Sequence, residues 1–413
     1  MTEFYDVPRW TGEILDCSLP LTFDQYSNCS YGCRYCFSAN QRGINKAAEG
    51  YLGGVVRPVN VERVKAMWEG RVESQFLPYI QSGRAFQWGG LSDPFCEFER
   101  RFGVGLELLR FFAKRESAIC FSTKGAWWTE DPRYVEAFDG QKRWNVKVSI
   151  ITLDDRKARV IERGVPSPSE RLRAIERIAR WNAGGATLRL RPFLIGASEP
   201  RHVELIRAAA DAGATAVSTE FFCLEQRSPV LRKHMPVLNK VLGFDLLAFY
   251  RQYSDRKGYL RLNKNLKRPF VDEMEAECKA RGLRFYVSDP DFKERSANGS
   301  CCGLPPDWPY ARGQFTEALV IARERGEVSW SDLEPHLDYA QFNAVRAHYC
   351  QLVRSSSGRI AQFKHMTMAE AIRWHWNNPE SGNSPWGLYR GVLRPDRLDE
   401  QGNLIYVYDS SRT

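Results

Sequence analysis

Several features that would assign a protein to a common class are missing from this sequence of 413 residues. It contains no run that is long and apolar enough to cross a membrane. Its N-terminus has neither the basic nor the apolar region of a signal peptide. There is no internal repeat, no low-complexity segment, no Walker loop and no histidine pair with zinc-protease spacing. We therefore expect a cytoplasmic protein that does not contact membranes.

The composition indicates a large core and an excess of basic residues. Hydrophobic residues make up 43% of the chain and aromatic residues 13%, including 12 Trp. The formal net charge of +9 leaves two interpretations open, a generally basic protein or a polyanionic partner such as nucleic acid. The 11 cysteines do not form a disulfide framework, which favours a reducing compartment.

Three of those cysteines, Cys29, Cys33 and Cys36, stand close together with C-x3-C-x2-C spacing. Three thiolates can hold three corners of a [4Fe–4S] cube, which leaves the fourth iron without a protein ligand. Soft thiolates also bind zinc, but structural zinc needs four ligands, commonly as two C-x2-C pairs. Because the sequence has no second pair, we favour a cluster over zinc.

Short apolar runs alternate with helical patterns along most of the chain. The pattern predicts strands at residues 13–23, 84–90, 118–123, 146–152, 188–195, 216–222 and 284–288. It predicts helices at 99–114, 168–182, 201–212 and 272–280, with Ser167 or Ser169 as the cap of the second. Residues 223–268 are less regular. Repeated β-then-α units imply a parallel sheet and an α/β fold.

The pattern changes near residue 296. A turn-rich segment is followed by helical patterns at 313–324, 331–353 and 367–377, and by an irregular tail from 378. We therefore predict one domain over residues 1–295 and a mostly helical C-terminal extension over 296–413.

The cysteine motif resembles the signature of the radical S-adenosylmethionine (radical SAM) superfamily. Tyr35 is the aromatic residue before the last cysteine, and Gly32 allows a tight turn. Further segments resemble the spore photoproduct lyase-like branch, namely Ser92–Phe95, Ser122–Lys124, Ser149–Asp154, Arg163–Leu172 and Arg189–Ile195. This resemblance implies a partial (β/α)6 barrel, a [4Fe–4S] cluster and SAM, with the chemistry at the carboxyl ends of the strands.

The resemblance also implies roles for residues at strand ends. The three cysteines would ligate the cluster, and its open iron would chelate the amino and carboxylate groups of SAM. Gly89 and Gly90 would approach the SAM amino group, because glycines let the backbone come close to a ligand. Ser122 and Lys124 suit the carboxylate, and Ser149 the ribose. The alternative in each case is an ordinary turn or a polar strand end that faces water.

One position departs from the lyase pattern. Photoproduct lyases have a hydrogen-donating cysteine two residues before the Ser-Asp pair, and this chain has Gly90 there. Cys96 is either a substitute donor or a core residue. Cys302, beside Cys301 in a glycine-flanked loop, is a hydrogen donor, a ligand of a second metal centre or part of a buried turn. We therefore predict a lyase, isomerase or other activity that modifies, rearranges or repairs a base.

A basic stretch with interleaved tyrosines predicts contact with DNA, because basic side chains bind phosphates and aromatic rings stack on bases. Its members are Arg251, Arg256, Lys257, Arg261, Lys264, Lys267 and Arg268, with Tyr250, Tyr253 and Tyr259. A solvated basic face is the alternative.

The leading hypothesis is a radical SAM enzyme that acts on a nucleic-acid base and takes electrons from a reductant such as flavodoxin or ferredoxin. Two alternatives stay open. One is a radical SAM enzyme for a peptide or small metabolite. The other is a non-catalytic nucleic-acid-binding protein with a structural metal site.

Overall fold

The computed structural model describes residues 8–39, 56–181, 184–254, 259–346 and 362–413. Within these residues, no helix is long and apolar enough to span a bilayer. The strands are β1 Arg9–Trp10, β2 Leu21–Phe23, β3 Gly32–Cys33, β4 Phe86–Trp88, β5 Ile119–Thr123, β6 Trp144–Ser149, β7 Glu162–Arg163, β8 Ala186–Phe193, β9 Ala216–Phe221, β10 Leu224–Glu225, β11 Tyr259–Leu260, β12 Arg284–Val287, β13 Glu327–Val328, β14 Leu393–Leu398 and β15 Leu404–Tyr408.

The α-helices follow the strands in alternation over the first two thirds of the chain. They are α1 Val61–Trp68, α2 Leu77–Gln81, α3 Glu97–Phe102, α4 Val104–Lys114, α5 Pro132–Phe138, α6 Asp155–Ile161, α7 Pro168–Arg180, α8 His202–Asp211, α9 Pro229–Leu242, α10 Leu246–Tyr253, α11 Lys264–Ala280, α12 Phe315–Arg325, α13 Met368–Trp376 and α14 Pro385–Leu388. Ser167 caps α7 in a capping box with Glu170, as the sequence predicts.

The largest sheet has eight strands in the order β1-β2-β4-β5-β6-β8-β9-β12. Strands β5, β6, β8 and β9 pair in parallel, whereas β1 and β2 pair antiparallel. The prediction of an α/β fold with a parallel sheet is therefore confirmed.

Two compact units make up the chain. One contains Asp24–Lys65 and Trp88–Phe285, and β5, β6, β8 and β9 form its sheet. The other contains Val7–Phe23, Ala66–Gln87 and Tyr286–Thr413.

This division differs from the predicted boundary near residue 296. Backbone hydrogen bonds within the second unit join its separated segments, from Ala311 N to Ser18 O at 3.0 Å and from Phe315 N to Leu15 O at 2.8 Å. Such pairings between distant segments leave no periodic signal in the sequence.

The predicted first strand is shorter than its apolar pattern indicates. Residues 12–16 form turns, and only Leu21–Phe23 is a strand. Pro20 precedes that strand and cannot donate to a ladder, but its carbonyl accepts from Thr11 N at 2.7 Å.

Residues 223–268, predicted as less regular, contain α9 and α10. Helix α11 also begins at Lys264 rather than at the predicted residue 272. The side chain of Asn263 caps this helix by accepting from Leu266 N, and a cap of this kind marks the start of a helix.

The C-terminal region also departs from its predicted pattern. The predicted helix 331–353 is a series of 3-10 turns, Trp330–Asp332, Glu334–His336, Asp338–Ala340 and Ala344–Arg346, and its last residues lie outside the described ranges. Pro335 lacks the N–H that a continuous helix needs. The tail predicted as irregular contains the antiparallel pair β14 and β15.

Candidate active site

The loop with the three cysteines is fixed by a short antiparallel ladder in the first unit. Strand β3 pairs with β7, so that Cys33 lies opposite Glu162. Arg34 N donates to Ile161 O at 2.9 Å, and Cys36 N to Cys33 O at 3.1 Å. All described cysteines are unbridged thiols, and Cys29, Cys33 and Cys36 are each partly exposed. The loop is therefore rigidly held, and its three thiols can be reached.

The donor set suits a cluster on chemical grounds. Among the described residues, no three His, Cys, Asp or Glu side chains lie close enough together to hold a single metal ion. A cubic cluster makes a different demand, because each cysteine thiolate binds its own iron. Three thiols on one fixed loop fit that demand.

A buried network joins the cysteine loop to the end of a parallel strand. Tyr35 donates from its hydroxyl to Glu162 Oε1, and Arg171 Nη2 donates to Glu162 Oε2 at 2.7 Å. Both partners of the ion pair are fully buried. Arg171 Nη1 also donates to Ser149 O at 2.6 Å. Because β6 ends at Ser149, the network holds the loop beside that strand end.

Ser149 also provides an observation that points to a ligand. Its hydroxyl is buried, and no described residue hydrogen-bonds to it. A buried polar group without a partner costs about 1–3 kcal/mol. A ligand hydroxyl bound at this strand end would supply the missing bond.

Lys124 lies near the cysteine loop. Its Nζ is 5.7 Å from the centre of the Tyr35 ring. Burial raises the pKa of Cys33 to about 12, and the charge of Lys124 opposes that shift. The backbone at this point is fixed by Asp93, whose carboxylate accepts from Lys124 N at 2.6 Å and from Thr123 Oγ1 at 2.8 Å. Burial raises the pKa of Asp93, and these hydrogen bonds oppose the shift.

The segment that follows the glycine pair after β4 is held by two carboxylates, Asp24 and Asp93. Asp24 Oδ1 accepts from Leu91 N and Ser92 N, both at 2.9 Å. Gly89 has a φ of +91°, and a Cβ there would lie 2.6 Å from the carbonyl oxygen of Ser122. Gly89 therefore has a packing reason to be glycine, independent of any ligand. Gly90 follows it and is half-buried.

One face of the parallel sheet is polar. Alternate residues of a strand share a face, and the registers align Ser122 with Lys147, and Ser149 with Arg189. Arg191, two residues further along β8, forms an ion pair with Glu220 on β9. Parallel sheets are usually apolar on both faces, so this charged face is a departure from the usual pattern.

Glu162, Arg171 and the charges on this face were not predicted from the sequence. Alternating charged and apolar residues in Val146–Ser149 and Leu188–Arg191 were the available signal for the face. Glu162 and Arg171 had no such signal, because Glu162 lies on a two-residue strand and Arg171 lies in an ordinary helical pattern.

The two candidate hydrogen donors lie in different surroundings. Cys96 is fully buried and packs with Tyr26 and Tyr31 against Cys29. The neighbouring thiol of Cys96, together with burial, raises the pKa of Cys29. Cys302 belongs to the second unit, is buried, and donates from its backbone nitrogen to Ser300 Oγ at 3.2 Å.

The basic stretch is not a uniform surface. Tyr250 is fully buried and donates to Phe222 O at 2.6 Å, and Lys267 is also buried. Tyr259 is 38% exposed, and the Arg261 guanidinium lies 5.6 Å from its ring centre. Arg256 and Lys257 lie outside the described residues. The described part of the stretch therefore offers one exposed aromatic–cation pair, that of Tyr259 and Arg261.

No known family model matches the chain. Solved structures similar to it include a spore photoproduct lyase variant with bound AdoMet and dinucleoside spore photoproduct, at 16% identity and a TM-score of 0.49, covering 66% of this chain and 77% of that chain. A second lyase variant is similar at 15% identity and a TM-score of 0.48, covering 65% and 76%. SuiB of Streptococcus suis bound to S-adenosylmethionine is similar at 13% identity and a TM-score of 0.41, covering 66% and 51%.

Proposed function

We propose that this chain is a radical SAM enzyme that acts on a base of nucleic acid. Cys29, Cys33 and Cys36 would hold a [4Fe–4S] cluster. When bound, the cluster and SAM supply a 5′-deoxyadenosyl radical that abstracts hydrogen from the substrate. A reductant such as flavodoxin or ferredoxin would provide the electron.

The observation that supports this proposal most strongly is the joining of the cysteine loop to the end of β6. The network of Tyr35, Glu162 and Arg171 connects the three thiols with Ser149, whose buried hydroxyl has no described partner. A ligand group and a cluster would thus meet on one fixed frame.

The chain's own residues would position SAM and exclude water. Lys124 and Ser122 would bind its carboxylate, and Ser149 would donate to or accept from a ribose hydroxyl. Gly90 and the backbone after it would approach the amino group. Asp24 and Asp93 would act as positioning residues, because each fixes the backbone of this segment through hydrogen bonds.

The polar face of the sheet supports a substrate with anionic groups. Lys147, Arg189 and Arg191 are basic residues on that face, and Arg191 is already paired with Glu220. A nucleotide would offer phosphates to such side chains and a base to an aromatic ring. The exposed pair of Tyr259 and Arg261 is the described candidate for stacking.

Reconstitution with iron and sulfide under anaerobic conditions tests the cofactor. We expect a brown protein that, with dithionite, releases 5′-deoxyadenosine from SAM. Cys33→Ala should lose the visible absorption and the product while keeping the fold by circular dichroism. Cys17→Ala, another partly exposed cysteine, is the matched control and should keep both. A wild-type protein that stays colourless and binds only zinc contradicts the proposal.

The substrate is tested separately by isotope transfer. Deuterium in a DNA base should move into 5′-deoxyadenosine during turnover, whereas a deuterated peptide should not donate. Binding of labelled DNA should weaken steeply with salt, as phosphate contacts require. If SAM is turned over but no deuterium is transferred from DNA, the proposed cofactors stand and the proposal that a DNA base is the substrate is wrong.

A further inference from the structure

The surface beside the cysteine loop carries clustered basic side chains. Arg34, which lies between two of the cluster cysteines, donates from Nε to Val160 O at 2.9 Å. Its Nη1 lies 3.2 Å from His234 Nδ1 on α9. Arg163 follows Glu162 on the strand that pairs with β3, and Lys233 precedes His234. We call Arg34, Phe37, Val160, Arg163 and Lys233 the basic face.

The cations of the basic face lie close enough together for three of them to act on one histidine. Burial lowers the pKa of His234, and the charges of Arg34, Lys233 and Arg163 lower it further. Arg163 and Lys233 are exposed, and neither forms an ion pair within the described ranges. Several other exposed arginines do form ion pairs, for example Arg201 with Glu204 and Arg207 with Glu277. The basic face therefore presents a local positive potential.

Two large exposed apolar side chains belong to the same segments as these cations. Phe37, the residue directly after Cys36, is 51% exposed, and Val160 is 36% exposed. Arg34 links the two places, because it lies in the cysteine loop and bonds to the backbone of Val160. Apolar contact surrounded by charge is typical of protein–protein interfaces, in which complementary charge also raises the association rate.

We propose that the basic face docks an acidic one-electron carrier protein that reduces the cluster. This inference rests on the proposed function, because it gives the cluster its source of electrons. One electron leaves the carrier, which is oxidised, and enters the cluster, which is reduced. No covalent bond forms or breaks in this step, and no proton is transferred.

The observations favour a protein over nucleic acid as the occupant. Nucleic-acid surfaces are built on several phosphate-binding cations with aromatic rings for stacking. Here Phe37 is a single exposed ring, and Val160 adds an aliphatic contact that stacking on a base does not use. The three cations lie in the cysteine loop, on the strand that pairs with it and next to His234, which contacts Arg34. A carrier docked here would lie close to the thiols that hold the cluster.

Charge reversal tests the proposal with an acidic flavodoxin as the probe. Arg163→Glu and Lys233→Glu remove positive charge without touching a cluster ligand. Arg110→Glu, an exposed residue on α4, is the control. Reduction of the reconstituted cluster is followed by stopped-flow bleaching of its visible absorption, with reduced flavodoxin or with dithionite.

Each variant on the basic face should slow reduction by flavodoxin about tenfold, because rim charges act mainly on association rates. The double variant should slow it about a hundredfold and lose most of the salt dependence. Reduction by dithionite should stay at the wild-type rate in all proteins, and Arg110→Glu should resemble wild type. Equal flavodoxin rates in wild type and the double variant would overturn the proposal, as would an equal loss in Arg110→Glu.

Two further outcomes are distinguishable. Calorimetric titration of oxidised flavodoxin into each protein measures docking without turnover, and the double variant should bind more weakly. If the double variant instead loses affinity for single-stranded DNA and keeps it for flavodoxin, the face binds nucleic acid and the proposal is wrong. If no protein acquires cluster absorption after reconstitution with iron and sulfide, the proposed function fails, whereas the titration still decides whether the face docks flavodoxin.

Discussion

Two loops that carry cysteines each lie near a buried triad of the same kind, one in each unit. Each triad joins a tyrosine hydroxyl, a carboxylate and a cation. The first consists of Tyr35, Glu162 and Arg171, and the second of Tyr389, Asp16 and Lys293, with Tyr389 Oη donating to Asp16 Oδ1 at 2.5 Å. Yet the cysteines of the first loop are partly exposed, whereas Cys301 and Cys302 are only 9% exposed.

The two triads differ in their cation, and this difference determines which groups each triad joins. An arginine donates several hydrogen bonds in a fixed plane, and Arg171 uses two of them to bond Glu162 and the backbone of Ser149. A lysine offers a compact charge, and Lys293 forms an ion pair with Asp16. The first triad thus contacts the end of β6, where the buried hydroxyl of Ser149 has no described partner. The second triad joins separate segments of its own unit.

Removal of the cation should produce the largest effect in both loops. Arg171→Met and Lys293→Met each leave a buried carboxylate without its partner, so each should lower the free energy of unfolding by about 3–5 kcal/mol. Urea unfolding followed by circular dichroism measures this loss.

Iron content then separates the two triads. After reconstitution, Arg171→Met should hold much less iron and sulfide per chain than wild type, whereas folded Lys293→Met should load normally. The comparison between the loops would break down if both variants lost iron equally while still folded.

Removal of the tyrosine hydroxyl should have a smaller effect. Tyr35→Phe and Tyr389→Phe each delete one donor to a buried carboxylate, at a cost of about 1–3 kcal/mol. Only Tyr35→Phe should change the visible and electron paramagnetic resonance spectra of the reconstituted cluster, because Tyr35 lies within the cysteine loop. Identical spectra in Tyr35→Phe and wild type would show that the hydroxyl only stabilises the fold.

The two triads also show what the sequence could and could not predict. The cysteine spacing, the β-then-α alternation and Ser167 as a helix cap are local patterns, and the structure confirms the parallel sheet and the cap. Glu162 and Arg171 lie nine residues apart, one on a short strand and one in a helix, and no local pattern indicates that both side chains are buried.

Long-range pairing explains the other differences. Asp16 meets Tyr389 across 373 residues of sequence, and this contact belongs to the same unit that the sequence divides at residue 296. The sequence left two interpretations of Cys96, a hydrogen donor or a core residue. In the structure Cys96 is fully buried and packs beside Cys29. Neither fact has a periodic signature.

Alkaline pH should weaken the second triad by a further route. Burial raises the pKa of Tyr389 well above its usual range, and the nearby Cys301 adds to the shift. An unfolded tyrosine has a pKa of about 10. Because the folded pKa of Tyr389 is higher than that, the folded state binds the proton more tightly than the unfolded state does. The stability from Tyr389 is therefore present below about pH 10 and is lost as pH rises further, by up to about 1.4 kcal/mol per pH unit.

Urea unfolding of wild type and Tyr389→Phe between pH 8 and pH 11 measures this effect. The difference between the two proteins should be constant below about pH 10 and then shrink, because the variant has no hydroxyl to ionise. A difference that stays constant up to pH 11 would contradict the raised pKa.

The smallest expected change in stability is at Ser149, and its sign is opposite to the others. Ser149→Ala removes a buried hydroxyl without a described partner, so the variant should be more stable by about 1 kcal/mol. Its affinity for SAM should fall about tenfold, since loss of one hydrogen bond is worth about 1.4 kcal/mol in binding.

Thermal unfolding and calorimetric titration of SAM into the reconstituted protein measure the two effects. Ser218→Ala, on the neighbouring strand β9 and also buried, is the control and should not gain stability, because its side chain has interactions to lose. A Ser149→Ala variant that loses stability and keeps its SAM affinity would show that the hydroxyl serves the fold, and the first triad would then differ from the second only in the exposure of its cysteines.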